Sequence, residues 1–532
     1  MKKWRVLVVL AAAQFVLVID TSVMNVSISQ LVHDFETDVS TIQSIIALFS
    51  LVMATCMIVG GKIGDIAGRK KAFVIGLVIY GIGSLTTSLS PSIAVLTIGW
   101  SILEGIGAAL VMPALVALIA INYSKKDRAL AYGVIGGISG AAVAVGPIVG
   151  GWVTTNLTWR VVFAAETVIV VGILAVMGWI TTQPPAEPRP QLDWTGALLS
   201  AAGLGLIVIG ALMGGSWGFI QPRTSASILG FAPTLFVIAS GVGALGIFTG
   251  WLRRQKAAGK DPLIDPEIMH NRTLRAGLST LLLQQTVLMG IFFVIPLYLQ
   301  VVLGKNAFDT GVKLLPVSIA LVIASVGGSR LGEVLSPRAI VRAGLGVLLV
   351  GSILLLGTIK PELEGIPFAV ALALIGIGIG LLASQIGNIL QSSVRESERG
   401  EAGGLQYTAQ NLGSSLGTAL IGAIVIGALA TGFLNQLNAS PQLSESTKDR
   451  AGIRLESGIS FVSVDEVRQG VSEANLPPDE QEAIVDGYAA SQLSALKLGL
   501  LFASILAFAA LFFTASLPTE KVATEPEREP IG

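Results

Sequence analysis

Three carboxylates stand inside runs of residues long and apolar enough to cross a membrane. Asp20 lies midway along the first run, Glu104 midway along the fourth, and Glu166 in the outer third of the sixth, after Trp159-Arg160. Ionisable groups in hydrocarbon are costly and rare, so each is a candidate functional group. Burial disfavours the ionised form of a carboxyl group and brings proton exchange within reach of neutral pH. A lipophilic cation would favour the ionised form instead. Proton and cation then compete for one site, which is the physical core of antiport. One charge crossing ~100 mV is worth ~2.3 kcal/mol, enough for a gradient of roughly fiftyfold. The plainer readings are a structural hydrogen bond to a neighbouring helix or, for Glu166, an ion pair with Arg160.

The elements that must hold these groups are helices in lipid. The chain has 532 residues, 52% of them hydrophobic and 13% charged, where a soluble domain carries about 25% charged residues. Mean hydropathy is +0.76. The 34 basic and 34 acidic residues cancel, so no nucleic-acid partner is implied. Cys56 is the single cysteine; it can form no intrachain disulfide, and no metal-ligand spacing occurs. The start, MKKWR before an apolar run, looks like a signal peptide, but the many spans behind it favour an uncleaved first helix.

The apolar runs predict an all-α polytopic membrane protein with fourteen spans, each needing about 20 residues. The expected spans are roughly 5–32, 40–59, 72–89, 92–120, 129–155, 161–181, 195–215, 227–251, 276–303, 310–335, 339–359, 366–391, 404–434 and 493–515. Basic residues concentrate in alternate connections, among them Lys62, Arg69, Lys70 and Lys71, then Lys125, Lys126 and Arg128, then Arg253, Arg254 and Lys256. An excess of Lys and Arg marks a cytoplasmic loop, so both termini are expected in the cytoplasm. The implied organisation is a six-helix bundle (1–182), a Pro-rich linker (183–194), two extra helices (195–251), a cytoplasmic loop (252–275), a second six-helix bundle (276–515) and a tail (516–532).

A faint repeat links the bundles. Lys62-Ile63-Gly64-Asp65-Ile66 is echoed by Arg330-Leu331-Gly332-Glu333-Val334, which suggests duplicated halves and a paired gate. The acidic segment 435–492 has two stretches suited to short amphipathic helices, Val464–Val471 and Asp479–Tyr488, separated by Pro477-Pro478. It reads as a lid or a dock for an envelope partner, or as a plain solvated insertion.

Three motifs carry a resemblance. Gly60–Lys71 reads GGKIGDIAGRKK, Gly133–Gly151 reads GVIGGISGAAVAVGPIVGG, and Leu17–Ile28 reads LVIDTSVMNVSI. The chain resembles the major facilitator superfamily, specifically its fourteen-helix drug:proton antiporter branch, over roughly residues 5–515. The resemblance implies a fold of two six-helix bundles with two extra central helices. It implies a gating latch at Gly61, Gly64, Asp65, Gly68, Arg69 and Lys70, and an antiporter motif ending at Gly146, Pro147, Gly150 and Gly151. Glycines let helix backbones meet and Pro147 removes a backbone donor, which suits a sealed interface between the halves.

The sequence departs from the family in the fourth span. The family's arginine four residues before Gly105-Ile106-Gly107-Ala108-Ala109 is Ser101 here, its usual Gln is Glu104, and a polar Asn of the sixth helix is Glu166. Ser101 and Glu104 are three apart and should share a helix face. Asp20 would then lack its customary arginine, leaving Glu104 as the main proton site and Asp20 secondary or substrate-facing. In the later half no carboxylate is expected within spans eleven to thirteen. Gln284, Gln285, Tyr298, Gln300, Gln406, Tyr407, Gln410 and Asn411 are candidates to line a polar path, and Lys313 to snorkel at the outer end. His33 and His270 fall at span ends or in loops.

The expected function is proton-coupled export of hydrophobic compounds, cations among them, by a monomer in the cell's inner (plasma) membrane. The proton gradient supplies the energy and no cofactor is expected. The alternative is export of an endogenous lipid or metabolite on the same fold. An enzyme is disfavoured because no Ser/His/Asp cluster, metal spacing or phosphate loop occurs, and a receptor because the transport motifs are intact.

Overall fold

The computed structural model describes residues 4–37, 39–181, 191–219, 222, 227–395, 398–448, 461–473 and 476–520. Most of the linker expected at 183–194, part of the segment 435–492 and most of the tail lie outside these residues. Thirteen helical segments among the described residues are long and apolar enough to cross a membrane. The first bundle runs α1 (Arg5–Val26), α2 (Ile28–Asp34), α3 (Val39–Ala67) and α4 (Arg69–Ser88). A short α5 (Ile93–Leu96) follows, then a π-helix (Thr97–Glu104), α6 (Gly105–Asn122), α7 (Lys125–Asn156) and α8 (Arg160–Ala175). At 16 residues, α8 is shorter than an average span, and a 3-10 turn, Met177–Trp179, continues it. It is the expected sixth span, so the fourteen-pass reading and the thirteen long segments differ by this helix.

The extra pair is α9 (Trp194–Trp217) and α10 (Pro233–Ala257). The second bundle comprises α11 (Arg272–Pro296) with a π-helical end (Leu297–Val302), α12 (Ala307–Leu331), α13 (Pro337–Thr358), α14 (Gly365–Ser392) and α15 (Arg399–Ala439). It closes with α16 (Val464–Glu473) and α17 (Pro478–Phe513).

Side-chain caps start several of these helices. Asn271 accepts from the N–H groups of Thr273 and Leu274, Asn306 from Asp309, Ser336 from Ala339, and Asp193 from Gly196. The outer faces are apolar: Val168 is 71% exposed, Ile323 67% and Phe512 70%. A surface of that kind faces lipid rather than water.

Two large buried apolar clusters result. One draws on α1–α8 together with Tyr407 of α15; the other draws on α9–α17 together with Ile58 of α3. The bundles also meet along α7, where a Cβ on Gly133 would lie 2.8 Å from the Ser325 carbonyl oxygen and one on Gly136 2.8 Å from Ala383. The extra helix α9 packs on both α3 and α15.

Three expectations need correction. Asp479–Tyr488 is no separate amphipathic helix; it is the first part of α17. Its Ile484, Val485 and Tyr488 are buried, with the Tyr488 ring edge-on to Phe433 at 5.3 Å, so packing on α15 extends the last span into the polar segment. Likewise α15 begins at Arg399 rather than 404, which brings Glu401 into the helix, 7% exposed. A carboxylate therefore does stand within the thirteenth span. Third, Ser101 and Glu104 bond to different helices, Ser101 to the Ile45 carbonyl oxygen of α3 and Glu104 to Thr87 of α4, and they stand in a π-helix rather than the expected α-helix.

Gly107 sets how closely α6 approaches α4: a Cβ there would lie 2.7 Å from the Tyr80 nitrogen and 2.8 Å from the Gly76 carbonyl oxygen. Gly107→Val should force the helices apart and cost about 1–3 kcal/mol. A lowered thermal-unfolding midpoint of the detergent-solubilised chain checks this; an unchanged midpoint would show that the contact tolerates a side chain.

Candidate functional site

The close approach of α4 to the π-helix builds the site. Gly83 of α4 lies where a Cβ would be 2.7 Å from Glu104 Cγ, and Gly99 lies where one would be 2.8 Å from the Thr87 nitrogen. Thr87 Oγ1 thereby reaches Glu104 Oε1 and donates at 2.9 Å. One and two turns earlier on the same face of α4, Ser84 Oγ and Tyr80 OH both donate to Glu166 Oε2 at 3.2 Å. From the π-helix, Trp100 Nε1 donates to Asp20 Oδ1 at 2.8 Å, its ring stacked on Phe49 with centroids 4.5 Å apart. Signature glycines of α7 press on α1 just beyond Asp20: a Cβ on Gly146 would meet Ser22 Cβ at 2.2 Å, and one on Gly150 would meet Val23 Cγ2 at 2.9 Å.

The three carboxylates converge. One oxygen from each of Asp20, Glu104 and Glu166 lies within 4.8 Å of the other two. The residues are 0%, 0% and 2% exposed, and Asp20 Oδ2, Glu104 Oε2 and Glu166 Oε1 have no hydrogen-bond partner. Every donor that reaches the group is neutral. Arg160 does not pair with Glu166; its guanidinium donates to the carbonyl oxygens of Ser88 and Ser90 and sits over the Trp159 ring. Ser101 Oγ donates away from the group, to the Ile45 carbonyl oxygen at 2.8 Å. Two ionised carboxylates 4.8 Å apart repel by about 3 kcal/mol at an effective dielectric constant near 20. The cluster therefore holds protons or a cation. Hard cations such as Ca²⁺ take about 6–8 oxygen ligands, and the neighbouring hydroxyls here are engaged as donors, which suits protons better.

The candidate latch lies at another end of the bundles. Lys62 Nζ of α3 pairs with Glu401 Oε1 of α15 at 3.0 Å, both side chains below 10% exposed. Glu401 Oε2 accepts from the Asp265 backbone N–H at 2.9 Å, so the segment before the second bundle joins the same contact. Asp265 is partly desolvated, yet its bonds to Lys256 and to the Glu267 N–H hold its carboxyl below the usual range. Asp65 Oδ1 accepts from Arg69 Nη2 at 3.0 Å and abuts Gly400, where a Cβ would sit 2.2 Å away. The carboxylate thus meets the first turn of α15, where the helix dipole favours negative charge. Gly68, at φ 93°, turns the chain from α3 into α4. Lys70 Nζ donates to the Ile180 carbonyl oxygen at 3.0 Å, a Cβ on Gly61 would lie 2.6 Å from the Gly400 carbonyl oxygen, and one on Gly64 would lie 3.9 Å from Ala72 Cβ. The echo in the second half forms no matching latch among the described residues: Arg330 and Glu333 are exposed.

The other candidates divide. Tyr407 OH donates across the bundles to Gln14 Oε1 at 3.4 Å, and Gln14 Nε2 donates to Ser139 Oγ at 3.0 Å. Gln406 is buried with Oε1 unpartnered, Asn411 donates to the Tyr407 carbonyl oxygen, and Gln410 accepts from Ser414. Gln284 is buried, and Gln285 reaches Ser414 Oγ at 3.4 Å. Tyr298 instead ties the end of α11 to the carbonyl oxygens of Thr358 and Lys360, while Gln300 and Lys313 are exposed. Pro147 and Gly151 lie within the unbroken helix α7. Sequence reasoning missed Tyr80, Ser84 and Thr87, although three polar residues at helical spacing in an apolar span signal a shared face. It also missed Trp100, Gln14 and Glu401.

The Major Facilitator Superfamily model matches residues 10–418. The Probable actinorhodin transporter of Streptomyces coelicolor is 28% identical over 445 residues, 81% of this chain and 74% of that protein. Puromycin resistance protein pur8 of Streptomyces alboniger is 29% identical over 455 residues, 83% of this chain and 85% of that protein. The human organic anion transporter MFSD10 superposes with a TM-score of 0.60 at 13% identity, covering 96% of this chain and 99% of that one; at that identity the likeness speaks for the fold alone. With helices that span the membrane many times and a family match over most of its length, the chain belongs to the Major Facilitator Superfamily and is a transporter, not an enzyme.

Proposed function

We propose that the chain is a proton-coupled antiporter that exports hydrophobic compounds, cations among them, from the cytoplasm across the cell's inner membrane. The observation that carries the coupling is the buried trio Asp20, Glu104 and Glu166, three carboxylates with no basic partner among the described residues. Relatives named for antibiotic transport and resistance support a drug-like cargo. The basic residues around Lys62–Lys71 favour a cytoplasmic position for the latch and both termini. On that orientation the Lys62–Glu401 pair supports a gate on the cytoplasmic side. Two bundles rocking about α7 would open it by parting Lys62 from Glu401, and the polar contact of Gln14 with Tyr407 across the bundles supports a cargo route there.

Glu104→Gln keeps the shape of the side chain and removes its exchangeable proton. In vesicles carrying a proton gradient, it should abolish proton-coupled efflux across a panel of lipophilic cations while membrane insertion stays normal. Undiminished efflux would sink the assignment. Proton flux driven by envelope lipids, with none by cations, would favour a lipid exporter instead.

Lys62→Ala strands a buried Glu401, which costs about 3–5 kcal/mol. Spin-label distances between the latch ends of α3 and α15 should lengthen, and the charge swap Lys62→Glu with Glu401→Lys should partly restore them. Distances unmoved by Lys62→Ala would mean that the pair does not hold the closed state.

A further inference from the structure

We propose that Asp20, Glu104 and Glu166 are one proton store that holds two protons between them, set apart from the route of the cargo. This deepens the antiport reading and rests on it. It replaces the competition of proton and cargo for one site with coupling through movement of the first bundle.

The first support is geometry. The three residues come from α1, the π-helix and α8, are 98% buried or more, and bring one oxygen each within 4.8 Å of the others. Each also keeps one carboxylate oxygen without a hydrogen-bond partner. A proton on such an oxygen turns an unpaired acceptor into a donor that a neighbouring carboxylate can accept. Coupled carboxyl groups of this kind share protons and titrate as a unit.

The second support is charge. From α4 the group meets Tyr80, Ser84 and Thr87, and from the π-helix Trp100, all neutral donors. From α3 comes Phe49, stacked on Trp100, and α7 packs on α1 through Gly146 and Gly150. Among the described residues no Lys or Arg forms an ion pair with any of the three, and Ser101 spends its hydroxyl on a backbone carbonyl. Neutral hydrogen bonds from Trp100 and Tyr80, with the Ser84 and Thr87 hydroxyls shared with the Phe163 and Gly83 carbonyl oxygens, can support one shared negative charge; like charges at this separation disfavour a second. Two protons must then come from solvent when the store fills and return to solvent when it empties, each leaving its electron pair on a carboxylate oxygen.

The third support is separation. All the hydrogen bonds to the store come from within the first bundle. The contact across the bundles runs instead from Gln14 to Tyr407. Gln14 and Asp20 are six residues apart on α1, which sets them roughly 120° apart around the helix. One helix thus presents its amide to the seam and its carboxylate to the store. A rotation of α1 moves both together.

The test is infrared spectroscopy of the purified full-length chain at neutral pH, reading the C=O stretch of protonated carboxylic acids. The wild-type protein should show acid bands equivalent to two groups that shift in D2O. Asp20→Asn, Glu104→Gln and Glu166→Gln should each remove about half of that amplitude. A wild-type spectrum without protonated acid overturns the store, even if the variants fail to fold. So does amplitude indifferent to all three substitutions, or a stoichiometric divalent metal found by elemental analysis, which would make the cluster a cation site. The readout involves no transport. Protonated acids in a protein that moves no protons would refute the antiporter and leave the store; coupled efflux with an ionised trio would refute the store alone.

Discussion

A charge withdrawn from water must be matched, and two buried acidic regions among the described residues meet that demand in opposite ways. In the candidate latch, Lys62 meets Glu401 and Arg69 meets Asp65, so neutrality comes from pairing side chains. Around Asp20, Glu104 and Glu166 no Lys or Arg among the described residues forms an ion pair, and on the reading proposed above neutrality is borrowed from outside the chain. The first arrangement holds a shape. The second makes the charge state of the protein depend on what it takes up.

Both arrangements depend on backbones brought closer than side chains would permit. Gly83 and Gly99 set α4 beside the π-helix, so that short hydroxyls on one can reach carboxylates on the other. Gly400 leaves room for Asp65 at the first turn of α15. On α7 the glycines serve two neighbours in turn: Gly133 and Gly136 face the second bundle, while Gly146 and Gly150 face α1. The glycine-rich stretch Gly133–Gly151 therefore reaches from the seam between bundles to the helix that carries Asp20.

The fold was largely legible in the sequence, because a span must hide its backbone polar groups within a long apolar helix and so leaves a long apolar run. The expected sixth span, absent from the thirteen long segments, is the one whose helix is shortest. The buried carboxylates were legible for the same reason: a charge in an apolar run stands out. Their convergence was not, since it depends on the phase of the π-helix, and neither Ser101 nor Trp100 announces a departure from α-helical spacing. Glu401 was missed because it lies beyond the apolar run that defined its span, in a polar stretch that α15 extends into. The echo at Arg330–Glu333 shows the reverse error, a matching pattern with no matching contact, because a duplicated sequence need not keep its partner across the interface.

The π-helix at Thr97–Glu104 carries a further meaning. A widened turn lengthens the peptide between two fixed ends without lengthening the rod, so it is slack stored inside an otherwise taut helix. Tightening it to α-helical pitch would swing Glu104 about the axis while Gly107 stayed wedged against Gly76 and Tyr80. The fourth span thus changes its winding at its middle, and the acid stands where the winding changes.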